Sequence, residues 1–139
     1  MRVVLDSSVL VAALRSRRGA SFALLQALRA GQFEIAVSVP LVLEYEAVLL
    51  RHAKELGLLP GEAIGVVDYL CAIGHRQEIH FLWRPTLNDP GDEFVLELAV
   101  AAQGASVVTH NVRDFGGAES FNIRVLTPAE FLQILREDQ

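Results

Sequence analysis

The chain has 139 residues, 52% of them hydrophobic and 21% charged, with a formal net charge of −5. That is enough for the core of one globular domain, residues 1–139, and too little for two ordinary ones; the acidic balance excludes a surface coated in positive charge. No apolar run reaches the ~20 residues a membrane span needs, and Asp6 interrupts the N-terminal apolar stretch, so a soluble, cytoplasmic protein with no membrane contact is expected.

Taken in chain order, "RVVLDSS" reads as a strand from its continuous β-branched run, and "SFALLQALRAG" as a short amphipathic helix closed by Gly31. "FEIAVS" is a second strand, "LVLEYEAVLLRHAKELG" a helix ended by Gly57, and "PGEAIGVVDYLCAIG" another helix from Pro60. Cys71, the single cysteine, lies in that apolar helical context, which predicts a small buried thiol in a reducing compartment and no internal disulfide. "QEIHFLW" alternates enough to be a strand, "RPTLNDPGDEFVLELAVAAQG" is a turn cluster and then a helix, "ASVVTH" and "IRVLTP" are strands around an irregular "NVRDFGGAESFN", and "PAEFLQILRE" closes the chain as a helix. Strands alternating with helices predict a three-layer α/β/α sandwich with a central, mainly parallel sheet covered on both faces.

In such a sheet, ligands bind in the crevice at the carboxyl ends of the strands. Asp6 closes the first strand at that edge, and an unpaired carboxylate there costs several kcal/mol or takes up a proton. Other acids arrive at the same edge. Glu44 shares the inward face of its helix with Leu41 and Val48, whereas Glu46 is expected at a solvated position. The "NDPGDEF" turn places Asp89, Asp92 and Glu93 at a helix N-terminus, and "VVTHNVRDF" places Thr109, Asn111 and Asp114 just after a strand.

Bland readings exist for some of these. Acids favour the start of a helix, Asp before Pro is a common turn residue, and Asp114 could pair with Arg113. Asp6 and Glu44 are harder to explain in that way, because both interrupt apolar surfaces. Clustered carboxylates repel one another unless a cation holds them ionised, and hard oxygen donors are what Mg²⁺ or Mn²⁺ takes. His52, His75 and His80 form no ligand spacing, and His110, alone beside the acids, reads as structural.

With these residues in view, the chain resembles the PIN-domain nucleases, in particular the toxin-like branch related to VapC toxins. "VVLDSSVLVAAL" resembles that family's opening strand with its first Asp, "FEIAVSVPLVLEYEAVLLR" the segment with the catalytic Glu, and "NDPGDEFVLELAVAAQGASVVTHNVRDF" its third and fourth blocks. The resemblance implies catalytic and metal-holding roles for Asp6, Glu44, Asp92 and Asp114, and supporting polar roles for Ser8, Thr109 and Asn111. Gly91 and Glu93 stand where close relatives often have further Asp, and Asn111 where some branches have an acid. It further implies Mg²⁺ or Mn²⁺ as cofactor, RNA as substrate, and a homodimer held by an antitoxin protein.

Backbone phosphates are expected to meet Arg15, Arg17, Arg18 and Arg113 at the crevice rim, although a solvated loop explains "RSRR" equally well. One alternative is a PIN-like domain that binds RNA or a partner without cutting it. A second is a phosphatase or receiver domain, which also puts an Asp at the end of its first strand. Those families need a lysine near the phosphate, and the chain has only Lys54.

Overall fold

The protein is described by a computed structural model that covers residues 1–79, 87 and 89–138. Its five strands are β1 (Arg2–Leu5), β2 (Glu34–Val37), β3 (His75–Arg76), β4 (Ser106–Val108) and β5 (Val125–Leu126). They form one sheet in the order β3-β2-β1-β4-β5, and every pairing is parallel. Parallel pairing places the sheet inside the fold, and accordingly Val3, Val4, Leu5, Ile35, Val107 and Val108 have no more than traces of exposed surface.

Among the described residues six helices flank the sheet: α1 (Ser7–Arg15), α2 (Ala20–Arg29), α3 (Val39–His52), α4 (Pro60–Ile73), α5 (Pro90–Ala101) and α6 (Pro128–Glu137). This is the expected α/β/α arrangement. α3 is entered through Ser38, whose hydroxyl accepts from the Leu41 amide, and it buries Leu41, Tyr45, Val48 and Leu49 at helical spacing. Burial of each such side chain contributes roughly 1.5–3 kcal/mol.

Three expectations are corrected. The opening strand stops at Leu5 rather than running through Ser8, and Ser7 starts α1, which the apolar run concealed. Val9, Leu10 and Ala13 are its buried face, and a short apolar run alone does not separate a buried strand from a buried helix. The strand expected over 77–83 is displaced: Ala36 pairs with His75 and Val37 with Arg76, residues 77–79 lie outside any strand, and 80–83 fall outside the described residues. Cys71 is exposed, because α4 turns Ala63, Val67 and Leu70 inward and places the thiol off that face. Among the described residues no helix is long and apolar enough to cross a membrane.

Candidate active site

The strand order changes direction between β1 and β4, so the connections leaving these two strands diverge and open a crevice at their carboxyl ends. Asp6 follows β1 and Thr109 follows β4. The Asp6 amide donates to the Val108 carbonyl at 2.9 Å, and the Thr109 amide to Leu126 at 2.9 Å, which pins both residues to the sheet edge. Asp6 is only 5% exposed, and its Oδ2 accepts from Ser8 Oγ and Thr109 Oγ1, each at 2.7 Å. The two hydroxyls are themselves oriented, since Ser8 Oγ accepts from the His110 amide at 3.1 Å and Thr109 Oγ1 from the Asn111 amide at 2.9 Å. The two O–H donors on one oxygen fix the orientation of this carboxyl group. Among the described residues Oδ1 accepts no hydrogen bond, and Asp6 borders the crevice.

The cleft above this edge has a volume of about 570 Å³ and is bordered by Asp6, Glu44, Asp89, Asp92 and Asp114. Each arrives by its own local logic. Glu44 comes from the second turn of α3, whose apolar face points it inward beside Tyr45. Asp89 caps α5, its Oδ1 accepting from the Gly91 amide at 2.7 Å and the Asp92 amide at 3.4 Å. Asp92 follows in the first turn of α5, and Asp114 sits on a 3-10 turn, 112–115, anchored by the buried ring of Phe115. The cleft continues into a recess of about 490 Å³, where Arg113 stands with Asp89, Asp92 and Asp114.

The electrostatic consequence falls on Asp92. A helix N-terminus ordinarily favours the ionised carboxyl. Here burial, and then the charges of Asp6, Asp89, Asp114 and Glu44, push its pKa up to about 7. The Tyr45 phenol, which donates to the Leu5 carbonyl directly beneath Asp6, is pushed up by burial and by the charge of Asp6. Gly91 lies between two of the acids: a Cβ at that position would stand 2.6 Å from Glu44 Oε1 and 3.0 Å from Asp89 Oδ1. The missing side chain is what lets the Glu44 carboxylate rest against α5.

Compared with known proteins, the chain matches the PIN domain family over residues 2–113. It is a PIN-domain protein. No curated protein matches it. Among solved structures it is similar to one described as VapBC2 from Rickettsia felis bound to a DNA fragment from their promoter, with 16% sequence identity and a TM-score of 0.61. That similarity covers 91% of this chain and 98% of the other, and it establishes the fold.

In this PIN domain the four acids Asp6, Glu44, Asp92 and Asp114 share one cleft; Ser8 and Thr109 bond Asp6 through their hydroxyls, while Asn111 enters only through its backbone amide on Thr109 and borders the cleft as an exposed residue. Among the described residues, no three acid, histidine or cysteine side chains close on a single point at metal-ligand spacing. Glu93 is turned inward instead, 7% exposed, accepting from the Leu87 amide. Glu46 is half-buried outside the cleft rather than solvated, and Lys54 is exposed outside it. Of the four expected arginines, Arg15 borders the cleft and Arg113 the adjoining recess, while Arg17 and Arg18 lie on the exposed turn after α1 and border neither.

Arg51, which the sequence reading did not single out, borders the cleft, and so do His52, set aside for lack of ligand spacing, and His110, read as structural beside the acids. Arg51 carried a usable signal, lying seven residues after Glu44 and so on the same face of α3. His110 is held by Ser21, its Nε2 lying 2.6 Å from Ser21 Oγ.

Proposed function

We propose that residues 1–139 form one PIN domain that is a divalent-metal-dependent endoribonuclease, hydrolysing an RNA phosphodiester with water, and that it is the toxin of a toxin–antitoxin pair. The observation that carries this reading is the convergence of Asp6, Glu44, Asp89, Asp92 and Asp114 on one cleft, where burial and then the neighbouring charges push Asp92 up to about 7. Burial and the neighbouring charges disfavour the ionised form of Asp92, and a cation in the cleft would relieve that cost.

The donor set fits Mg²⁺ or Mn²⁺: all oxygen, hard, and in a cleft with room for water. Asp6, Glu44, Asp92 and Asp114 would hold the ion, while Asp89 is committed in part to capping α5. When bound, such an ion would supply charge neutralisation at the phosphoryl group and a more acidic water near neutral pH. The chain's own residues position the parts. Ser8 and Thr109 fix Oδ2 of Asp6, an acid that borders the cleft. Gly91 leaves space for Glu44, and Arg113 stands beside the acids where a phosphate would meet it. No side chain has to act as the nucleophile.

A phosphatase or receiver reading lacks its lysine, because Lys54 is outside the cleft. The VapBC2 structure from Rickettsia felis is bound to a DNA fragment from their promoter, which supports an antitoxin partner for this chain as well. A homodimer acting on RNA in the cytoplasm completes the reading. Purified protein is expected to cleave single-stranded RNA with Mg²⁺ or Mn²⁺ and to stop when a chelator is added. Retained RNA binding with no cleavage under either ion would leave the non-cutting domain as the better account.

Thermal melts give a second, cleavage-free test. Asp92 has a folded pKa of about 7 against an ordinary 3.8, so its protonated form contributes stability that is complete at acid pH and lost as the pH rises through about 7. Metal-free protein is therefore expected to melt lower at about pH 8 than at about pH 5, and saturating Mg²⁺ to raise the melting temperature more at the higher pH. In Asp92→Asn both the pH trend across that window and the Mg²⁺ shift should shrink. Equal Mg²⁺ shifts in the two proteins would remove Asp92 from the site.

Gly91 gives a third. In Gly91→Ala the new methyl meets the far end of Glu44, which can swing aside, so the fold should hold, helped by alanine's helix propensity of up to about 1 kcal/mol over glycine. The displaced carboxylate should nonetheless weaken the Mg²⁺-induced rise in melting temperature. Shortening the acid with Glu44→Asp in the same protein should recover part of it. A full-sized Mg²⁺ shift in Gly91→Ala would show that Glu44 does not need that space.

A further inference from the structure

The cleft has two chemically different ends. α1 and α3 pack side by side, and each runs from the acids to a basic terminus: Ser8 to Arg15 on α1, and Glu44 to Arg51 and His52 on α3. Seven residues separate Ser8 from Arg15 and likewise Glu44 from Arg51, so each basic group stands about 10 Å along its helix from the acids and on the same face. Between the two ends the cleft is bordered by Val11, Ala12 and Val48, an apolar stretch with no charge of its own. Glu55 ties the basic end together, accepting from Arg15 and His52 at 2.7 Å each. Arg51 has no ion-pair partner among the described residues.

Basic side chains at helix C-termini are common because they complement the helix dipole. The dipole does not account for two helices turning their basic ends into one cleft, in line with the acids.

We propose that Arg15, Arg51 and His52 form a phosphate subsite for single-stranded RNA, separate from the acidic end and occupied by a backbone phosphate two or three nucleotides from the one that is cut. A stacked strand rises about 3.4 Å per nucleotide, so about 10 Å corresponds to about three steps, and to fewer in an extended strand. The apolar stretch between the ends lies where intervening sugars and bases would pass, and it asks for no particular sequence. Arginine suits the basic end because its planar fork can meet a phosphate through two donors at once. Glu55 keeps Arg15 and His52 in place before the strand arrives. The subsite deepens the nuclease reading above and rests on it for the identity of the strand, but its test does not depend on cleavage.

The test takes the Asp6→Asn protein as parent, so that bound RNA survives, and measures binding of a labelled single-stranded octanucleotide by fluorescence anisotropy across a salt series with Mg²⁺ present. Adding Arg51→Ala or Arg15→Ala is expected to weaken binding about threefold or more and to lower the slope of log affinity against log salt by about 0.7 for each phosphate no longer neutralised. Arg136→Ala, the same charge change on the exposed end of α6, should leave both unchanged. A dinucleotide, too short to span both ends, should bind the parent far more weakly than the octanucleotide does. The proposal is overturned if Arg51→Ala and Arg15→Ala keep the parent's affinity and slope, or if Arg136→Ala weakens binding as much as they do. Arginine-dependent binding by a wild type that cuts nothing would sink the nuclease reading and keep the subsite; cleavage with no such dependence would do the reverse.

Discussion

In the Asp6→Asn protein, RNA cleavage is expected to fall by at least about 100-fold while the fold persists. Loss of an outer partner of a metal ligand typically costs 10- to 100-fold, and a ligand itself should cost no less than the upper end of that range. The substitution is close to isosteric. The amide oxygen can take over the two hydrogen bonds that Ser8 and Thr109 now give to Oδ2, leaving the amide NH₂ on the side of the cleft. That removes a negative charge from the acidic end and puts a donor where a cation would sit. Asp6 is the largest of the charges acting on Asp92, so its neutralisation should also let Asp92 titrate lower. Metal-free Asp6→Asn is therefore expected to melt at or above the wild-type temperature, and added Mg²⁺ should move it little. Gel assays and melts on one preparation check both statements. Undiminished cleavage would take Asp6 out of the site, and a collapsed melting curve would show that the carboxylate is structural.

Glu44→Gln should likewise lose most cleavage, about 100-fold, and Glu46→Gln should behave as wild type. The two acids are two residues apart on α3, roughly 200° around the helix at ~3.6 residues per turn. Glu44 borders the cleft and rests against Gly91, whereas Glu46 is half-buried outside it. Both substitutions keep side-chain length and remove one charge, so an effect on helix stability or net charge would appear in both proteins. An amide is also cheaper to bury than a carboxylate, and Glu44→Gln should therefore be neutral or stabilising for the metal-free fold. Equal activity in the two variants would refute the role of Glu44 and with it much of the case for a four-carboxylate nuclease site. The non-cutting RNA- or partner-binding domain would then be the better account.

Local sequence specified the alternation of strands and helices, and with it the parallel sheet and the edge at which Asp6, Thr109 and the start of α5 meet. Those features are legible because they rest on local periodicity: β-branched runs for β1 and β2, helical spacing around Leu41, Tyr45 and Val48, and the Asp-Pro start of α5. α1 was not legible, since Ser7 to Arg15 continues the apolar run of β1 and only packing tells a buried helix from a buried strand.

Which way the polar side chains face was settled by tertiary packing. Glu93 and Asp92 are neighbours in one helical turn, yet one bonds the Leu87 amide in the interior and the other borders the cleft, because adjacent positions lie about 100° apart around a helix. Arg17 and Arg18 belong to the same run as Arg15, and only Arg15, still on α1, is carried to the cleft. Arg51 and His52 enter it because α3 packs along α1, an approach of segments some forty residues apart that no local pattern encodes. The repulsion that raises Asp92 has the same origin: its sources come from α1's cap, α3, α5 and the 3-10 turn, and their distances exist only once the chain is folded.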